Sequence, residues 1–208
     1  MIQTEAELRA LIGHPASIAK AKQIAALDVH CRAFIAESPL LMLATANANG
    51  LCDVSPRGDL PGFVAVEDDH HLIIPERPGN RRADSLVNII ENPQVGLLFL
   101  IPGNLETLRV NGLARLVQDP EVLEPLAAQG KVPKLAIRVE VREAFLHCGK
   151  ALVRSKAWEA RTPQPSNRAS AAKVFVEHSC TTELSEAQAE KILEAEKILE
   201  EDYREGLY

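Results

Sequence analysis

Apolar residues along this chain fall mostly in short blocks separated by Gly, Pro, Asn and Asp, a pattern that predicts strands rather than long helices. Leu40-Leu41-Met42-Leu43-Ala44-Thr45-Ala46 runs into Asn47-Ala48-Asn49-Gly50, a hairpin signal in which the glycine supplies a positive φ. Residues 51–57 return as the partner strand and end on the polar tip Ser55-Pro56-Arg57-Gly58-Asp59. Residues 63–66 and 71–74 read as a second hairpin around Asp68-Asp69. A strand over 94–101 is closed by Pro102-Gly103-Asn104, and a longer one covers 106–117, where Gly112 marks a bulge or a close approach. Residues 135–141 alternate apolar and charged, as a half-buried strand does.

Helical periodicity is confined to the flanks and a few connections. Residues 3–12 and 17–37 are predicted helical, the first opening on a Thr4/Glu7 capping box. Asn80 reads as the N-cap of a helix that carries Arg81 and Arg82 in its first turn. Leu86, Val87, Ile89 and Ile90 form its apolar face, and Asn92-Pro93 stops it. Asp119-Pro120 starts a helix over 120–129 with Gly130 behind it. A short basic helix holds Trp158, residues 160–171 read as a loop, and Ser185-x-x-Gln188 caps a final acidic helix. Ile192, Ala195, Leu199 and Tyr203 line one side of that helix. The expected fold is mainly β with flanking helices, an antiparallel barrel of six or more short strands. No helix alternates with every strand, which argues against a doubly wound sheet. The expected organisation is a helical segment over 1–37, a barrel domain over 38–160, and a loop with an acidic helix over 161–208.

Composition narrows the function classes. Hydrophobic residues at 46% and charged residues at 25% are ordinary for a globular chain, and 208 residues suffice for a sizeable core. The net charge of −6 is carried entirely by residues 183–205, with nine acidic and three basic side chains. The remainder is neutral, and aromatics make up 4%, so neither a polyanion surface nor a stacking platform for nucleic acid is present. Cys31, Cys52, Cys148 and Cys180 are widely spaced and make no metal-ligand pattern. With no signal peptide and no apolar run long enough to span a bilayer, a reduced cytoplasmic setting is expected.

Candidate chemistry lies in three basic groups near predicted strand ends: Arg57, the Arg77/Arg81/Arg82 set, and Lys150/Arg154. Arginines at a helix N-terminus oppose the helix dipole unless an anion is bound there. The alternative is a solvated arginine cluster. Converging cations beside an apolar barrel wall suit a phosphorylated, partly apolar ligand. Flavin mononucleotide (FMN) fits that description, with its phosphate at Arg81 and Arg82 and its ring along Val54, Ser55 and Pro56.

Several short motifs occur in order: His30-Cys31-Arg32-x-Phe34-Ile35, Asp53-Val54-Ser55-Pro56-Arg57-Gly58-Asp59, Ile74-Pro75-Glu76-Arg77-Pro78-Gly79-Asn80-Arg81-Arg82, Asn88-Ile89-Ile90-x-Asn92-Pro93, Glu106-Thr107-Leu108-Arg109-Val110-Asn111-Gly112 and His147-Cys148-x-Lys150-Ala151. Together they resemble the pyridoxamine 5'-phosphate oxidase-like flavoproteins, in particular a bacterial oxidase branch, over roughly residues 28–160. The resemblance implies a six-stranded FMN-binding split barrel and a homodimer with FMN at its interface. It puts the phosphate turn on Gly79-Asn80-Arg81-Arg82 and further flavin contacts on Val54, Ser55, Pro56 and Arg57, on Ile74, Pro75 and Glu76, and on Thr107 and Arg109. Lys150, Arg154 and Trp158 are the candidates for a contribution from the second subunit.

True pyridoxamine phosphate oxidases end in an arginine-containing strand that binds substrate, whereas this chain ends in an acidic helix. The implied activity is therefore an FMN-dependent oxidoreductase acting on an unidentified small molecule. Its rivals are a non-catalytic flavin- or haem-binding protein of the same fold and a cofactor-free interaction module. No catalytic residue is assigned. His147 is the best candidate for proton transfer because the ordinary histidine pKa lies near neutrality.

Overall fold

A computed structural model describes residues 1–159, 169–179 and 186–208. These form two units. The first comprises Met1–Glu76, Ala83–Leu126 and Pro133–Trp158. The second comprises Arg77–Arg82, Ala127–Val132 and, within Glu159–Tyr208, the described residues.

The first unit is organised on one antiparallel sheet. Its strands are β1 (Leu40–Ala46), β2 (Cys52–Gly58), β3 (Ala65–Val66), β4 (His71–Pro75), β5 (Gln94–Leu100), β6 (Thr107–Val117) and β7 (Ala136–His147). The order across the sheet is β2-β1-β5-β6-β7-β4-β3. Seven strands replace the expected six because the second hairpin contributes β3, two residues long, at one edge. Alternation along each strand decides the inner face. Leu41 and Leu43 of β1, Leu97 and Phe99 of β5, Leu108 and Val110 of β6, Ile137 and Val139 of β7, and Leu72 and Ile74 of β4 are all buried in one core.

The bulge expected at Gly112 is present. Asn111 pairs with Glu143 but Gly112 pairs with Val141, so β7 carries one extra residue. The extra residue flips the parity of β7, which lets both Val141 and Ala144 face the core. A Cβ on Gly112 would overlap the Glu140 carbonyl oxygen and lie 3.0 Å from Val139 Cγ1.

The sheet is curled on itself. A flat sheet would put β2 and β4 about 24 Å apart, five strand spacings of about 4.8 Å. Yet Arg57 at the end of β2 is ion-paired with Glu76, the residue after β4. That pair crosses the open seam of the barrel.

The helices depart further from expectation. α1 (Glu5–Ile12) has the predicted capping box: Thr4 Oγ1 accepts from Glu7 N at 3.2 Å, and the Glu7 carboxylate accepts from Thr4 N at 3.4 Å. The single helix expected over 17–37 is two, α2 (Ser17–Ala21) and α3 (Val29–Glu37). Between them Ile24 pairs with Ala144 of β7, so strand-like bonding to the sheet displaces helix there. Asp28 caps α3, accepting from Cys31 N at 2.8 Å.

The helix expected from Arg81 begins three residues later, as α4 (Asp84–Glu91). Asn80 caps no helix; its Oδ1 accepts from Arg82 N at 3.0 Å. Arg81 (φ 60°) and Ala83 (φ 58°) are left-handed, so Arg81 and Arg82 lie in a turn rather than in a first helical turn. The buried residues of α4 are Ser85 and Ile89, whereas Val87 and Ile90 of the expected apolar face are exposed.

The helix expected over 120–129 shortens to α5 (Pro120–Leu123) and a 3₁₀ turn, Glu124–Leu126. Trp158 lies beyond α6 (Lys150–Ser155), not in it, because Lys156 adopts a left-handed conformation that ends the helix. In the second unit, α7 (Ala171–Ser179) and α8 (Glu186–Glu205) are joined by a hydrogen bond from Ser170 Oγ to Glu196 at 2.9 Å. Ile192, Ala195 and Leu199 of α8 are half-buried as expected, but Tyr203 is exposed. Ser185, the expected cap, and Cys180 lie outside the described residues. No helix is long and apolar enough to cross a membrane among the described residues.

Candidate functional site

β2 is an edge strand with two chemically different faces. Asp53, Ser55 and Arg57 are half-buried, while Val54 and Pro56 between them are exposed. The inward three enter a polar network beneath α4. Thr45 Oγ1 donates to the Asp53 carboxylate, which also accepts from Asn88 Nδ2 at 3.2 Å and from Ser85 Oγ at 3.4 Å. Ser85 Oγ lies 3.0 Å from Ser55 Oγ, and Ser55 Oγ accepts from Arg57 Nε at 3.2 Å. Arg57 Nη1 then pairs with Glu76. Satisfied polar atoms run without interruption from the β1–β2 hairpin to the end of β4. Thr45 and Ser85 are buried, so these bonds offset a desolvation cost that would otherwise be large.

The structure thus brings together Ser55, Arg57 and Glu76 among the expected site residues. Ile74 is fully buried in the core and offers only its backbone. Pro75 closes β4 opposite Ala136. Ser85, Asn88 and Thr45 meet Asp53 of β2 in this network without having been expected there. A legible signal existed for two of them: Ser85 and Asn88 are polar residues three apart on a helix, and the buried Ile89 lies four from Ser85, which places all three on one side.

The remaining expected residues are distributed elsewhere. Asn80, Arg81 and Arg82 belong to the second unit. There Arg77, of the same turn, lies 5.8 Å from the centre of the Tyr208 ring. Thr107 is buried at the start of β6. Arg109 lies over the Phe145 ring at 5.2 Å, with Lys22 Nζ also 5.1 Å from that ring. His147 stacks on Phe145 at 6.2 Å between centroids. Lys150 and Arg154 face a groove of about 270 Å³ with Leu105, Glu106, Gly149 and Val153. Trp158 Nε1 donates to the Asn104 carbonyl at 2.6 Å. On the sheet, Pro56, Met42, Leu98, Arg109 and Phe145 form one continuous row by register. Arg109 is therefore three strands from β2, about 14 Å.

Titration behaviour singles out no catalytic group. Burial, with the nearby Asp28 second, pushes the Cys31 thiol up to about 11, so it is an inert core thiol. The Cys31 backbone N–H in turn holds the Asp28 carboxyl below its usual value. Glu67, Asp68 and His71 come within 4.8 Å of one another. However, Arg138 pairs with Glu67 at 2.7 Å, and His71 Nδ1 lies 2.9 Å from Asp68, which lowers the Asp68 pKa. The group is an exposed ion-pair network. Cys31, Cys52 and Cys148 are free thiols.

The pyridoxamine 5'-phosphate oxidase family model matches residues 27–148, which takes in the whole sheet and α3 to α5. Among solved structures, HupZ from Group A Streptococcus is 20% identical, with 57% of this chain and 92% of that chain covered and a TM-score of 0.48. HutZ, the heme storage protein from Vibrio cholerae, is 18% identical over 59% of this chain and 94% of that chain, at a TM-score of 0.41. The General Stress Protein 26 of Bacillus anthracis str. Sterne is 16% identical over 55% and 88%, at a TM-score of 0.42. A comparison with curated proteins found no match.

Proposed function

Since this chain belongs to the pyridoxamine 5'-phosphate oxidase family over residues 27–148, we propose that it is an FMN-dependent oxidoreductase acting on a small molecule. The observation that carries this reading is the turn before α4. Two non-glycine residues, Arg81 and Ala83, hold left-handed conformations there, and α4 opens without a side-chain cap. Backbone strain of this kind costs on the order of 1–3 kcal/mol per residue and persists where a ligand is clamped. Within the Arg77–Arg82 turn, two arginines in succession offer charged donors to a phosphate.

The flavin ring is assigned to β2. As the terminal strand of the sheet, β2 leaves one row of backbone N–H and C=O groups unused by the ladder, suited to the polar edge of an isoalloxazine. Val54 and Pro56 give that strand an exposed apolar side, while Ser55, Arg57 and Glu76 are already fixed by the network behind it. When bound, FMN supplies the electron transfer; the protein supplies position and charge. The exposed outer side of β2 is also the proposed homodimer contact, with Val54 65% exposed at its centre.

The test is the visible spectrum of the purified protein, with release and identification of any chromophore. Flavin bands bleached by dithionite and restored by air are expected. Arg81→Ala should weaken FMN by about 1.5–3 kcal/mol for each charge-assisted bond lost, roughly ten- to a hundredfold. A colourless protein that takes up no added FMN refutes the reading, and a Soret band would move the chain to haem binding. Sedimentation tests the dimer: a monomer that holds FMN tightly contradicts an interface site.

A further inference from the structure

The groove beside α6 has a composition of its own, unrelated to β2. Lys150 and Arg154 stand four residues apart, on one face of α6. Like charges at that spacing repel, and among the described residues neither cation has a hydrogen-bond or ion-pair partner. Val153 of the same helix and Leu105 supply apolar surface, and Glu106 supplies one carboxylate.

The groove is also built rather than accidental. A Cβ on Gly149 would come 2.6 Å from the Leu105 carbonyl oxygen, so the 104–106 turn is pressed against the start of α6 and only glycine fits there. Trp158, past the other end of α6, donates to the Asn104 carbonyl of the same turn. The turn is thus held at both ends of α6 while the cations between stay unpaired.

We infer that this groove binds a small organic anion: a carboxylate or phosphate held by Lys150 and Arg154, with an apolar body against Leu105 and Val153. At about 270 Å³ it suits a ligand smaller than a nucleotide, since sites for drug-sized ligands span roughly 300–1,000 Å³. Glu106 favours a ligand that also carries a hydroxyl or amine donor. This assignment takes the place of the second-subunit flavin contact expected of Lys150 and Arg154, and it holds whether or not the phosphate turn is occupied.

Trp158 is the only tryptophan in the chain and is bonded to the turn that carries Leu105 and Glu106, so its fluorescence is a probe of that turn. The full-length protein would be titrated with phenyl phosphate while exciting the indole. A saturable emission change is expected, reduced about tenfold in affinity or more by K150Q/R154Q and restored by the exchange K150R/R154K, because each lost charge-assisted bond is worth about a factor of ten. The R81Q/R82Q variant should leave it unchanged. Benzyl alcohol, which lacks the anion, should produce no comparable change. Thermal midpoints of all variants establish that they are folded. The inference is overturned if phenyl phosphate produces no saturable change, if K150Q/R154Q binds like the parent, or if benzyl alcohol binds equally well. It is also overturned if R81Q/R82Q abolishes the signal, which would put binding at the phosphate turn.

Discussion

Removing Arg57 tests both the closure of the barrel and the rigidity of the proposed ring site. Arg57→Ala deletes the ion pair to Glu76 and the hydrogen bond to Ser55 Oγ in one step. The Arg57 side chain is 15% exposed and that of Glu76 is 26% exposed, so the pair is neither a surface bridge nor fully buried. Exposed pairs contribute about 0–1 kcal/mol, and breaking a fully buried one costs about 3–5 kcal/mol. With a quarter of Glu76 still in water, solvent screens the orphaned carboxylate, and a loss of about 2 kcal/mol is expected. For a chain of this length that lowers Tm by about 4–8 °C. Glu76→Ala and the double variant complete a cycle, from which a coupling energy of about 1 kcal/mol should emerge. Urea unfolding of the four proteins supplies the numbers. A coupling below about 0.3 kcal/mol would refute the claim that this pair holds β2 to the end of β4. Flavin titration of the same proteins separates roles: loss of affinity in the single variants without parallel loss of stability would place Arg57 in direct contact with the ligand.

Two other outcomes follow from local geometry. Gly112→Ala should cost about 3 kcal/mol in urea unfolding, because the obstacle is a backbone carbonyl in the neighbouring strand that cannot rotate away; a change below about 0.5 kcal/mol would show that β6 and β7 separate freely there. Iodoacetamide at pH 8 should alkylate Cys52 and Cys148 and spare Cys31, as peptide mapping by mass would show. The raised Cys31 pKa means that the fold favours the protonated thiol, so this contribution to stability is complete below the ordinary value of 9.0 and is lost as pH rises through about 11. Alkylation of Cys31 at the rate of the exposed thiols would contradict its burial.

Much of the fold was legible because strands and hairpins are written locally. Alternation and the Asn47-Ala48-Asn49-Gly50 turn predicted β1 to its end residues, and Gly112 predicted its bulge. The family followed from short motifs in order, and the match over residues 27–148 bears it out. Helix limits were less legible, since they depend on what each end touches. Residues 22–28 have helical composition, but Ile24 gains backbone bonds to Ala144, so the predicted helix breaks there. Asn80 looks like a cap, yet the left-handed Arg81 and Ala83 defer the helix to Asp84.

The amino-acid sequence by itself determined the strand pattern, the bulge and the family, because backbone propensity and side-chain alternation act over a few residues. Only the tertiary structure decided which polar groups meet. Ser85 is far in sequence from Asp53 and Arg57 of β2, and the three become one network because the sheet curls and lays α4 over β2. Glu76 reads as a cofactor contact along the chain, but across the seam it is the partner of Arg57. Curling brings the first and sixth strands of the sheet together, a long-range consequence of twist and core packing that no local pattern encodes.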